Sequence, residues 1–129
     1  MKVIFLNILF FLSFVGFSQN EQLALDYFEK GEFEKAVSML ESISNKQPSN
    51  FYYFERTIDC YQQLQQFEKA ENLIENRKKK FNHPILFVEL GYNFHLQKNS
   101  SKATKQFELA LNEIEKEPNY VYQIGNAFE

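Results

Sequence analysis

The stretch Phe33-Glu34-Lys35-Ala36 recurs as Phe67-Glu68-Lys69-Ala70, 34 residues later. Chance could produce one such echo, whereas a repeat must also hold the neighbouring residues in phase. Aligning Ala36 with Ala70 sets Tyr27 against Tyr61, Phe33 against Phe67 and Leu40 against Ile74. A third copy follows with one residue lost, placing Phe94 and Ala103 in the aromatic and small positions. The spacing then returns to 34, pairing Pro84 with Pro118, Leu90-Gly91 with Ile124-Gly125, and Phe94 with Phe128. The chain is periodic.

Each period divides into two apolar halves. Leu23, Ala24, Tyr27 and Phe28 recur at the three- and four-residue spacing of one helix face. Gly31 then interrupts, as a residue that can end a helix in the left-handed conformation without steric cost. Phe33, Ala36, Val37, Leu40 and Ile43 trace a second helix face, and Pro48 closes the period, with Ser49 and Asn50 as candidate caps. In the third period Asn82 and Pro84 mark the start, and Asn99-Ser100-Ser101 stands where the first has its glycine turn. No segment keeps the alternation of a strand, so the expected fold class is all-α.

Helix, turn, helix at this period resembles the tetratricopeptide repeat. The first copy (17–50) carries Leu23, Ala24, Tyr27, Ala36, Leu40 and Pro48 at that family's positions. The second (51–83) carries Phe54, Tyr61, Ala70 and Ile74, but has Thr57-Ile58 where the family favours a leucine followed by a small residue. The third (84–117) carries Phe87, Leu90, Gly91, Phe94, Ala103, Phe107 and Ala110, and a partial fourth spans 118–129. The resemblance implies an α-solenoid over 19–129, in which small residues bring paired helices close and neighbouring units bury each other's apolar faces. It also implies a concave groove lined by the first helices, which serves a peptide or protein partner. By that register the groove residues are Tyr52, Glu55, Asp59 and Gln62 from the second repeat. Ile85, Val88, Tyr92 and His95 follow from the third, and Asn119, Tyr122 and Asn126 from the fourth. Tyr92 and Tyr122 would form an aromatic wall, since tyrosine offers a rigid apolar face with a polar tip. Groove variants that grip a terminal carboxylate need cations where this chain has Glu21, Leu25, Ile85 and Glu89, so a clamp of that kind is not expected.

The first 18 residues differ in kind. Lys2 precedes an apolar run from Val3 to Phe17, and Gly16 and Ser18 are small residues before a cleavage point at Gln19. That is the pattern of a secretory signal peptide. Its apolar core of about 15 residues falls short of the roughly 20 that a spanning helix needs. Export to the periplasm or cell surface is therefore expected, with no stable membrane insertion after cleavage. The one cysteine, Cys60, allows no internal disulfide and reads as a buried small apolar residue. The net charge of −3 lacks the basic face that nucleic acid requires.

No catalytic, metal or cofactor motif is present. His83 and His95 form no ligand pair, and His83, next to Pro84, reads as a solvent-facing turn residue; only four glycines are available for any phosphate cradle. Arg77-Lys78-Lys79-Lys80 falls where cations complement a helix carboxyl end. The expectation is a non-catalytic protein-interaction scaffold of the bacterial cell envelope, with no cofactor. The alternatives are the docking arm of a longer enzyme or sensor, or a structural spacer in an envelope assembly. The fourth copy stops within its first helix, so a continuation beyond Glu129 is expected, or self-association through Val121, Ile124 and Phe128.

Overall fold

The computed structural model describes residues 19–121. The signal-peptide reading of 1–18 and the groove positions Tyr122 and Asn126 lie outside those residues, as do Ile124 and Phe128. Among the described residues all regular structure is helical. Helix α1 covers 19–29, α2 Phe33–Lys46, α3 Phe51–Gln63, α4 Phe67–Lys78, α5 Pro84–Leu96 and α6 Ser100–Lys116. The chain divides into two compact units after Leu64.

Both copies of the opening tetrapeptide form a first helical turn, in α2 and in α4. Ala36, Ala70 and Ala103 are each the fourth residue of their helix, and all three are buried. Glu34 and Glu68 sit in the first turns, where a negative charge complements the helix dipole.

The turn after the first helix of each period is set by backbone rather than residue type. Gly31 has φ +73°, and the non-glycine residues Gln65 and Lys98 have φ 55° and 59°. The Gly31 amide donates to the Phe28 carbonyl at 3.0 Å and the Glu32 amide to Tyr27 at 2.9 Å, a Schellman closure of α1. Lys98 and Asn99 repeat it after α5, donating to His95 and Phe94 at 2.9 Å each. Lys98 is thus the turn residue of the third repeat. Asn99 instead caps α6, its side chain accepting from the Lys102 amide at 3.2 Å. An L side chain in this conformation costs about 1–2 kcal/mol, against the extra chain entropy of about 0.5–1 kcal/mol that glycine loses on folding. Lys98→Gly is therefore expected to raise stability by about 0.5–1 kcal/mol in urea unfolding. A decrease would show that the Lys98 side chain contributes contacts worth more than the backbone strain.

In the first unit Ala24, Ala36, Leu40, Ile43 and Cys60 form the buried cluster, with Leu25, Tyr27, Phe28, Val37 and Tyr53 packed around it. Two tyrosine hydroxyls tie its helices together. Tyr53 donates to Glu21 at 2.8 Å, and Tyr61 donates to Glu41 at 2.6 Å. Burial, reinforced by these carboxylates, pushes both phenols up to about 12, so they remain protonated donors at any ordinary pH. Glu21 also accepts from Gln47 at 3.1 Å. The position where a carboxylate-gripping groove would need a cation is thus a structural acceptor. Asn50 caps α3, accepting from the Tyr52 amide at 3.1 Å, as its place after Pro48 suggests.

In the second unit α5 packs on both α4 and α6. Asn93 is fully buried and donates to the Phe67 carbonyl at 3.0 Å, joining α5 to the start of α4. Gly91 faces Phe107 of α6 so closely that a Cβ there would lie 2.5 Å from the ring. His83 is half-buried rather than solvent-facing and caps α5, its Nδ1 accepting from the Ile85 amide at 3.2 Å while Pro84 takes the first helical position. The basic run is only partly a solvated end. Arg77 is buried with its guanidinium 5.9 Å from the Phe81 ring, and burial lowers its pKa. Lys78 pairs with Glu75 at 3.3 Å, Lys79 donates to Asn76 at 3.1 Å, and Lys80 is exposed.

Candidate functional site

Two helix faces carry the side chains that the repeat register assigns to partner binding, one in each unit. On α3, positions 52, 55, 56 and 59 follow the three- and four-residue spacing that places side chains on one side of a helix. Tyr52 is 44% exposed and meets Tyr53 edge-on, with ring centroids 5.2 Å apart. Arg56, which the register did not single out, organises this face. Its guanidinium lies 5.0 Å from the Tyr52 ring and 5.3 Å from the Phe28 ring, and it pairs with Asp59 at 3.1 Å. Burial works against the Arg56 cation, but its contacts with Tyr52 and Asp59 outweigh it and its pKa is raised.

Both carboxylates of this face are held above their ordinary range. Burial is the larger cause for Asp59, and Arg56 offsets only part of it. Burial also dominates for Glu55, with the neighbouring Asp59 adding to it and Arg56 opposing. Arg56 thus forms an ion pair with Asp59, whereas Glu55 forms none among the described residues. Gln62, the last α3 position in the register, is only 6% exposed and belongs to the interior.

On α5 the surface is aromatic and nearly uncharged. Tyr92 is 47% exposed and stacks on His95, with centroids 6.3 Å apart and planes 22° from parallel. Leu96 is exposed beside them, Val88 is half-buried and Ile85 is buried. Asn119 is exposed beyond α6. The structure brings Tyr92 and His95 together as one platform and leaves Ile85 as core.

Cys60 is fully buried and its thiol is pushed up to about 12 by burial, which leaves essentially no thiolate at neutral pH. Among the described residues no group of three or more His, Cys, Asp or Glu side chains could hold a metal ion. No described helix is long and apolar enough to cross a membrane.

Arg56 and Asn93 are the residues that sequence reasoning missed. The Arg56 signal was present in its spacing from Tyr52 and Asp59. Asn93 gave none, since an asparagine between two aromatic residues reads as surface.

No protein-family profile matches this chain, and no curated protein matches it. Solved structures do. A MamA structure, MSR-1, aligns over 75% of this chain and 56% of its own, with 20% identity and a TM-score of 0.60. A second, MamA AMB-1, aligns over 76% and 54%, with 19% identity and a TM-score of 0.58. The C-terminal part of a TPR repeat-containing protein from Cytophaga hutchinsonii aligns over 83% and 43%, with 22% identity and a TM-score of 0.51. This chain thus spans about half the length of the solved chains it matches. Together with the left-handed turns at Gly31, Gln65 and Lys98, these likenesses identify the fold as an all-α helical-repeat solenoid of the tetratricopeptide type.

Proposed function

We propose that this protein is a non-catalytic protein-interaction scaffold, exported to the bacterial cell envelope, that binds a protein or peptide partner in a concave groove lined by its first helices. The exposure of Tyr52 on α3 and of Tyr92 on α5, the first helices of the second and third repeats, is the observation that carries it. Large aromatic side chains bury much area at low entropic cost when a partner covers them, and they dominate interface energetics.

Site-specific photo-crosslinking in the native cell tests this reading. A benzophenone amino acid at position 52 or 92 is expected to give one discrete adduct in the envelope fraction. The same probe at exposed Glu115 should give none. Adducts that do not depend on position, or a chain confined to the cytosol, would overturn it.

A further inference from the structure

The α3 face carries information about the chemistry of its partner. Within the first unit two carboxylates, Glu55 and Asp59, stand one helical turn apart beside the exposed Tyr52 ring. One cation serves both. Arg56 is committed to Asp59 at 3.1 Å and lies against the Tyr52 and Phe28 rings at 5.0 and 5.3 Å. Glu55 forms no ion pair or hydrogen bond among the described residues, although its side chain is half-buried. A partly desolvated carboxylate without a partner is costly, and an arriving cation relieves that cost more than it would at a fully hydrated site.

Resting on the scaffold reading above, we infer that the α3 face of Tyr52, Glu55 and Asp59 recognises a basic segment of the partner, with a lysine or arginine seated between Glu55 and the Tyr52 ring. Arg56 shows that the local chemistry accepts a guanidinium, since it already holds that arrangement from within the chain, between Asp59 and two aromatic rings. A guanidinium or ammonium over tyrosine gains a cation–π contribution in addition to the ion pair. An acidic segment would meet two carboxylates already short of counter-charge, and like-charge contacts are strongly disfavoured at interfaces. Arg56 is then an internal competitor for the incoming cation.

The competitor role gives a test with opposite signs. Fluorescence anisotropy of the full chain is measured with a labelled ten-residue Gly/Ser peptide carrying three arginines, and with its counterpart carrying three glutamates. The arginine peptide is expected to bind at least about 10-fold more tightly, with affinity falling as salt rises. Glu55→Gln, which keeps the shape of the side chain, is expected to weaken that binding by about 10-fold. Arg56→Gln is expected to strengthen it, because Asp59 and the Tyr52 ring are released. A purely structural role for Arg56 would produce only weakening. The inference falls if the two peptides bind equally, if Glu55→Gln changes nothing, or if Arg56→Gln weakens binding in a chain whose circular dichroism is unaltered. A discrete crosslink from position 52 to an acidic or uncharged segment would also sink it while leaving the scaffold reading intact. Loss of position-dependent crosslinking would instead remove the scaffold reading itself.

Discussion

Leu40→Ala is expected to lower the unfolding free energy by about 2–5 kcal/mol, the largest effect of any substitution considered. Leu40 is completely buried, in a cluster that also holds Ala24 and Ala36. Those alanines are small because the helices approach closely there, and they have no side-chain volume with which to fill a void. The truncation therefore loses the transfer free energy of the removed carbons and leaves a cavity that relaxes little. Leu40→Met preserves volume and should cost less than about 1.5 kcal/mol. Urea unfolding of the three proteins checks this through the midpoint at constant slope. A loss below about 1 kcal/mol for the alanine variant would mean that the aromatic shell of Tyr27 and Phe28 collapses into the space.

Gly91→Ala should change sign with the identity of its neighbour. A methyl at that position would lie 2.5, 2.7 and 3.0 Å from three atoms of the Phe107 ring, well inside contact distance. Overpacking of this kind costs about 1–3 kcal/mol. Against it stands a gain of about 1 kcal/mol, because alanine is the better residue in a helix interior. Overpacking should win in the natural chain and leave a net destabilisation. In a Phe107→Ala background the clash disappears, and the same Gly91→Ala change should then stabilise by up to about 1 kcal/mol. Phe107 is 36% exposed, so its ring has one route of escape towards solvent. A double-mutant cycle measures whether it takes that route. Coupling near zero would show that the ring swings out at little cost, and that the close approach is not what demands glycine here.

The sequence by itself determined the helical periodicity. It also determined which positions must be small. Those properties follow from local spacing, because a helix turns every 3.6 residues and its buried stripe is readable from one strand of letters. The alanines at 36, 70 and 103, the cap at Asn50 and the glycine turn at 31 were all legible in this way. The left-handed residues Gln65 and Lys98 were not, because nothing in a glutamine or a lysine marks a positive φ. At Lys98 the conformation accompanies the closure of α5, where the Lys98 and Asn99 amides donate to the His95 and Phe94 carbonyls.

Tertiary structure decided the fate of the polar side chains. Gln62 belonged by register to the same face as Tyr52, yet it is interior. Arg77 belonged to a basic run at a helix end, yet it alone of the four is buried, with an aromatic ring near its guanidinium. Asn93 lies between Tyr92 and Phe94 and turns inward to satisfy a carbonyl 26 residues before it. Periodicity fixes the direction in which a side chain leaves its helix. Whether it then meets water, a carbonyl or a ring depends on residues distant in the chain, and no local pattern encodes that distance.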